Sequence, residues 1–317
     1  MKISVAIAAY CGEKFIGEQL ASIIAQTRMP DEVVVCDDSQ DEATGNEVAK
    51  FSGMLNIRYI RNDTPLGAAA NFNKAVSLCS GDVIFLCDQD DLWYPEKVAV
   101  MSRFLASGGI KAVFCDSDIT DADGHPSGFT HLESRGYCKM RRFPAGVWLE
   151  QFPQSCRRFP GAGHDMAFTR EFWQMVAPIP ELENCHDNYL GVAGAALDAW
   201  ICVPLSLGIF RRHEQSTSRA GKKNSIIAQW REAVDSVKNN TFLWNAKLFA
   251  EVLKRLPDLP DDRKNLLCRR MEHSLKRAGM PARFFRRLPV IAAEWHRGNY
   301  DKFGRGWKNI IQDLFLR

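Results

Sequence analysis

Short apolar, β-compatible runs alternate with segments of helical period through roughly the first 115 residues, and this alternation restricts the chain to a small set of folds. Ile3–Ala9 is the first run, and Gly12–Thr27 then places Phe15, Ile16, Leu20, Ile23 and Ile24 at helical spacing. Glu32–Cys36 reads as a second strand ending in Asp37-Asp38, and Asp41–Phe51 as a polar helix. Ile57–Arg61 is a third strand, and Gly67–Cys79 is helical with Asn71 and Lys74 on its polar side. Asp82–Cys87 is a buried strand running into Asp88-Gln89-Asp90-Asp91. Pro95 suits the first turn of a helix over Glu96–Leu105, and Ala112–Cys115 is a fifth strand. Such alternation implies an α/β fold with a mostly parallel, doubly wound sheet. Ligands of these sheets bind beyond the carboxyl ends of the strands, so the two acidic segments are expected to share one crevice.

The net charge of +3 conceals a division. From Arg219 onward there are 22 basic and 10 acidic residues, a net of +12, whereas residues 1–218 carry 19 and 28, a net of −9. The length of 317 residues accommodates two domains, and the boundary is placed at 218/219. None of the ten cysteines forms a C-x-x-C pair, so free thiols in a reducing compartment are expected. The opening MKISVAIAAY is too short and too weakly charged for a signal peptide. Leu190–Phe210 approaches membrane length but contains Asp198 and Pro204, which predicts a buried helix followed by a strand. A cytoplasmic protein, soluble or peripheral on the inner face of the membrane, is expected.

Three carboxylates within Asp88–Asp91 repel one another unless a cation sits among them. Taken alone the motif could be a solvated turn; at the end of a buried strand it points to a divalent metal, Mg²⁺ or Mn²⁺, with a phosphate-bearing ligand. Neither G-x-G-x-x-G after the first strand nor G-x-x-x-x-G-K-[ST] anywhere is present, which disfavours dinucleotide oxidoreductases and P-loop enzymes. Asp38 is suited to accept from a base N–H and Asp88 from ribose hydroxyls.

Val5-Ala6-Ile7-Ala8-Ala9-Tyr10 and Glu32-Val33-Val34-Val35-Cys36-Asp37-Asp38-Ser39 resemble the start of the family-2 glycosyltransferases of GT-A fold. Asn71-Phe72-Asn73-Lys74-Ala75 and Gly81 through Trp93 continue the likeness. The Asp-Gln-Asp-Asp-x-Trp form followed by Pro95-Glu96-Lys97 is most similar to the bacterial rhamnosyltransferase-like branch. Gly161–Phe168, His186-Asp187 and Arg211-Arg212-His213 with Ser216 resemble its later elements, so the likeness covers about residues 3–218. It implies a nucleotide-sugar donor (dTDP-rhamnose or a UDP-hexose), a divalent metal and inversion at the anomeric carbon. By position, Asp90 and His213 would hold the metal and Asp187 would be the general base. Donor contacts would come from Ala8, Ala9, Tyr10, Glu13, Asp38, Asn71, Lys74, Asp88, Asp91 and Arg211. Trp93, Gly163, His164 and His186 would lie on the acceptor side. Two residues depart from the family pattern: Cys11 stands where Asn is usual, and Ala8 where a hydroxyl residue often sits. Because neighbours on a strand point to opposite faces, His164-Asp165 is read as structural or acceptor-side, not as a dyad.

The basic region predicts helices over Ile226–Lys238 and Phe242–Leu256, and Arg283–Arg317 mixes aromatic residues with Arg and Lys. A solvated helical cap is the plain reading; attachment to an anionic membrane surface is the sharper one. No nucleic-acid-binding module is recognisable. The expected activity is inverting, metal-dependent transfer of a sugar to a cell-surface polysaccharide, O-antigen-like chain or glycolipid. The rivals are a D-x-D phosphohydrolase and an inactive glycan- or membrane-binding protein of the same fold.

Overall fold

The computed structural model describes residues 1–106, 108–134, 160–182, 186–213, 234, 235, 237 and 240–315. Two compact units form: Met1–Phe143 with Pro160–Gly194 and Ala199–Gly221, and Pro144–Phe159 with Ala195–Asp198 and Lys222–Arg317. The expected helix Ile226–Lys238, Ser216 and the 218/219 boundary fall wholly or largely outside the described residues.

The first unit is built on strands β1 (Ile3–Ala9), β2 (Glu32–Asp37), β3 (Ile57–Arg61), β4 (Val83–Asp88), β5 (Leu92–Trp93), β6 (Ala112–Thr120), β7 (Pro126–Thr130), β8 (Met166–Thr169) and β9 (Trp200–Arg211). Helices α1 (Ile16–Ile24), α2 (Ala43–Ala49), α3 (Ala68–Leu78), α4 (Lys97–Ala106), α5 (His131–Ser134), α6 (Arg170–Val176) and α7 (His186–Ala196) connect or flank them. One sheet runs in the order β3-β2-β1-β4-β8-β6-β9-β5, with β7 on β6.

Val33, Val34 and Val35 are wholly buried, as are Val5 and Phe85, because helices cover this part of the sheet on both faces. The parallel register sets Ala8 level with both Cys36 and Asp88, and Ala9 level with Asp37. The two acidic segments therefore emerge at one end of the sheet, on either side of β1.

The expected parallel order holds for β3-β2-β1-β4 and then changes. β8 is antiparallel to both β4 and β6, and β5 is antiparallel to β9, so the sheet is mixed. Two features hid this. β5 is only two residues long, and β6 continues past Cys115 through Asp116, Ser117 and Asp118, polar residues that do not read as strand. The Leu190–Phe210 stretch is the helix α7 followed by the strand β9. No helix among the described residues is long and apolar enough to cross a membrane. Cys11, Cys36, Cys79, Cys87, Cys115, Cys202 and Cys268 are free thiols, and Cys138, Cys156 and Cys185 fall outside the described residues.

The second unit is helical: α8 (Thr241–Arg255), α9 (Asp261–Ala278), α10 (Phe284–His296), α11 (Asn299–Phe303) and α12 (Trp307–Phe315). Its interior is held by charge as well as by apolar contact. Buried Glu294 accepts from His273 Nδ1 (2.7 Å), Lys276 Nζ (2.6 Å) and Asn299 Nδ2 (2.7 Å). Buried Asp313 accepts from Arg277 (2.7 and 3.1 Å) and from the Tyr300 hydroxyl (2.8 Å).

Burial alone would raise the Glu294 pKa, but its three hydrogen bonds reverse the sign and bring it from 4.5 to about 2. A depressed carboxylate stabilises the fold above its unfolded pKa and loses that stabilisation as pH falls through its folded one, here between about pH 4.5 and pH 2. The helical unit is expected to lose about 3 kcal/mol over that window. Acid titration of the ellipticity at 222 nm (far-UV) tests this, and Glu294→Gln should remove that part of the pH dependence. An unchanged acid limb in the variant would contradict the assignment.

Candidate active site

β4 delivers Asp88 to the edge of the sheet, and the turn after it divides the acidic residues by direction. Asp88 and Asp90 keep 34% and 23% of their side chains exposed, while Asp91 keeps 1%. Asp91 turns inward, where its Oδ1 accepts the Arg211 backbone N–H (3.2 Å) across the β5–β9 pairing. That pairing also brings His213 to the site, with Nε2 2.8 Å from Asp90 Oδ2. Asp90 is pushed above the ordinary carboxylate range by burial and by the charge of Asp88, with His213 opposing. Asp88 goes the other way: burial is outweighed by a hydrogen bond and charge from His164 and by the charge of His186.

Phe15, just before α1, supports the far side. The His213 ring stacks on it at 4.6 Å, and the Arg211 guanidinium lies 5.2 Å from its centre. Arg211 also bonds Glu18 on α1, so its charge is already partnered.

Beneath the acidic turn lies a buried charged cluster. His164 sets Nδ1 at 3.1 Å from Asp91 and 3.5 Å from Asp88, and Nε2 at 3.1 Å from Asp165. Asp165 in turn accepts from Lys97 Nζ (3.1 Å) and Ser117 Oγ (2.5 Å). Although burial disfavours a charged imidazole, Asp165 and Asp91 hold the His164 pKa well above 6.5. Asp165 is lowered against its own burial by His164 and Lys97. The expectation that His164 and Asp165 point to opposite faces is corrected here. They sit on a 3₁₀ turn, Gly163–Asp165, not a strand, and their side chains meet. His164 is buried beneath the acidic turn, and Trp93 is buried beside Phe85 with Lys97 5.0 Å from its ring centre. Both side chains are therefore part of the packed interior.

At the ends of β1 and β2 the donor-side candidates form a bonded lattice. Asp38 is buried and accepts from Asn62 Nδ2 (2.6 Å) and from the backbone N–H groups of Leu66 (3.0 Å) and Gly67 (2.9 Å). Asn71 clips β1 to β2 by donating to the carbonyls of Ala9 (3.2 Å) and Cys36 (2.9 Å), and Lys74 donates to Asn62 (2.6 Å). Ala8 is half-buried, Ala9 is buried, and Tyr10 and Glu13 are exposed at the rim. Gln89 joins this rim to the acidic turn: its Oε1 accepts from Tyr10 N (2.9 Å) and its Nε2 donates to Tyr10 O (2.8 Å). A Cβ at Gly12 would lie 2.2 Å from Gln89 Oε1, so only glycine leaves room for this clasp.

Asp187 lies in the first turn of α7, which begins at His186. Its Oδ1 accepts from Asn188 N (2.7 Å) and Nδ2 (2.8 Å). The His186 ring packs on Phe72 (4.8 Å) and against Gly163, where an added Cβ would come within 2.5 Å of Nε2. Gly163 precedes the His164 that touches Asp88, which carries the start of α7 to the acidic turn.

Residues 4–157 match the model of Glycosyl transferase family 2. This part of the chain belongs to that family. It is 26% identical over 138 residues to the Escherichia coli UDP-Glc:alpha-D-GlcNAc-diphosphoundecaprenol beta-1,3-glucosyltransferase WfgD, covering 44% of this chain and 54% of that protein. WfaP of Escherichia coli, which bears the same description, is 31% identical over 103 residues, covering 32% and 41%. The chain thus spans about half the length or less of these relatives. Staphylococcus aureus TarS in complex with UDP-GlcNAc shares the fold at a TM-score of 0.59, with 18% identity over 87% of this chain and 73% of that one. The Pyrobaculum calidifontis mannosyltransferase PcManGT, in complex with GDP-Man and Mn²⁺, shares it at 0.52, with 18% identity over 99% and 85%.

The side chains at the acidic turn suit a divalent cation. Asp88, Asp91 and His164 bring potential ligand atoms within 4.8 Å of one another. Asp91 and His164 of this group face inward, at 1% and 3% exposure. Asp90 with His213, and Asp88 beside them, are the donors that remain open. Two carboxylates whose charges oppose each other are the environment a cation relieves. Sequence reasoning missed Phe15, Glu18, Gln89 and Lys97. Gln89 and Lys97 stood in or close behind the acidic motif and Phe15 in the first helical pattern, but none of these positions signalled its partner.

Proposed function

We propose that the chain transfers a sugar from a nucleoside diphosphate donor to a hydroxyl of a lipid-linked or cell-surface glycan, with inversion and with a divalent cation. The observation that carries this is the contact of Asp90 with His213 beside the open Asp88, at the end of the sheet where donors of this fold class bind. In this reading Asp90 and His213 would hold Mn²⁺ or Mg²⁺, which would supply charge neutralisation for the departing diphosphate. Asp88 faces the ribose, with Asp91 and Arg211 behind it. Asp38, Asn71 and Lys74 shape the base pocket through the loop they bind, and Ala8, Ala9, Tyr10 and Glu13 frame it. Asp187 takes the proton of the attacking hydroxyl, with His186 and Gly163 shaping the acceptor side. A single displacement needs base and leaving group on opposite faces of the sugar, and therefore inverts the anomeric centre.

The relatives named for UDP-Glc and the TarS complex with UDP-GlcNAc favour a UDP-hexose as the first donor to test, with dTDP-rhamnose second. The diphosphoundecaprenol in the names of WfgD and WfaP favours a lipid-linked acceptor, met at the inner face of the membrane. A phosphohydrolase with a nucleophilic first Asp would carry its motif after the first strand, whereas here it follows the fourth.

The test is thermal unfolding with UDP, dTDP, GDP and CDP, each with and without Mn²⁺. A nucleotide at 100 times its dissociation constant should stabilise by about 2.7 kcal/mol, and Asp90→Asn should abolish the Mn²⁺-dependent part. Absence of a shift with every nucleotide under Mn²⁺ would overturn the reading.

A further inference from the structure

Helix α10 buries charged residues beside Ile291 and leaves large apolar ones outside. Its buried positions include Arg287 and Glu294, while Phe284, Phe285, Leu288 and Trp295 are exposed. Phe285, Leu288, Ala292 and Trp295 recur at spacings of three and four and make one outward stripe. The inward charges are partnered: Glu294 as described above, and Arg287 through bonds to the carbonyls of Pro281 (2.8 Å) and Leu314 (2.8 Å). α12 repeats the pattern, burying Asn309, Gln312 and Asp313 while Trp307 and Phe315 face outward. Phe284 joins the two helices, with its ring 5.5 Å from Phe285 and 5.9 Å from Phe315. Phe285 is 81% exposed, Phe315 65% and Trp295 57%. Large aromatic side chains gathered this way mark a surface made to meet another phase or partner.

Charge identifies which. Arg283, Arg286, Arg297 and Lys308 are exposed around this face. Of the acidic residues in α10–α12, Glu294 and Asp313 are buried and paired inward, leaving Asp301 as the exposed one. An apolar face with a cationic rim fits the headgroup boundary of an anionic bilayer. Phenylalanine and tryptophan rings enter that boundary, and each nearby Arg or Lys strengthens binding about fivefold.

We propose that the α10–α12 face of the helical unit docks on the surface of an anionic lipid bilayer, with Phe285, Leu288, Trp295 and Phe315 entering the headgroup layer. This gives the basic region a membrane-facing side and does not depend on the transfer reaction.

The experiment is flotation of the full chain with vesicles of phosphatidylglycerol and phosphatidylcholine (1:1) or of phosphatidylcholine alone, without nucleotide or acceptor lipid. The wild type should bind the anionic vesicles at least tenfold more tightly than the neutral ones and dissociate in 0.5 M NaCl. Phe285→Asp with Trp295→Asp, and separately Arg283→Glu with Arg286→Glu, should each weaken binding at least tenfold. All four sites are exposed, so far-UV circular dichroism and Tm should stay unchanged, which separates lost docking from lost folding. Equal binding by the wild type and both variants, or no binding to anionic vesicles, would overturn the proposal. So would a wild-type dimer that the aromatic variant dissolves without any vesicle binding, because a second copy would then own the face. The nucleotide shift of the first unit is measured without lipid, so either result stands without the other.

Discussion

Asp187→Asn is expected to lower transfer about a thousandfold while leaving the Mn²⁺-dependent stabilisation by nucleotide intact. A general base contributes about 10²–10⁴ to rate, and an amide of the same shape cannot accept the proton. The separation of the two effects follows from position. Asp187 sits at the start of α7, whereas Asp88 and Asp90 sit at the end of β4 and His213 just beyond β9. Transfer from the donor that gives the thermal shift, onto a GlcNAc-diphosphoryl lipid, supplies kcat, and thermal unfolding supplies binding. Transfer kept within tenfold of wild type would place the base elsewhere. Joint loss of transfer and nucleotide binding would mean that Asp187 shapes the donor site instead.

The second large effect is on stability. Asp165→Asn should cost about 3–5 kcal/mol, because it leaves Lys97 and His164 buried without their shared counter-charge. Lys97→Met should be similarly costly alone, since Asp165 would keep His164 but lose its bond from the ammonium. The double variant should cost clearly less than the sum, because groups in contact couple and removing a buried pair together spares the penalty of an orphaned charge. Urea unfolding followed by tryptophan fluorescence measures all three. Strict additivity would show that the two side chains do not act as a pair.

The parallel half of the sheet was legible because each strand is a short β-branched run set between turn residues, and the register follows from crossovers that cover both faces. The acidic turn was legible for the same reason, as it follows the most apolar of those strands. The other half was not. β8 and β5 owe their places to pairing with distant partners, and such pairing leaves no local period. His164 and Asp165 misled because the strand begins one residue after them, so a turn, not a pleat, sets their directions. Asp38 was legible as a polar residue at a strand end, but its bonds to the Leu66 and Gly67 backbone were not, because that loop is distant in sequence. The composition of α10 was plain, yet its buried charges emerged only with the partners of Glu294 and Arg287.

The clasp between Gln89 and Tyr10 has an evolutionary consequence. It joins residues 79 positions apart by imitating a strand pair with a side-chain amide, and a side chain at position 12 would displace that amide. A lineage that exchanges Gln89 for a shorter residue frees position 12 to vary, and one that fills position 12 gives up the clasp. The opening of the chain and its acidic motif should therefore drift as a linked pair among descendants of this sequence.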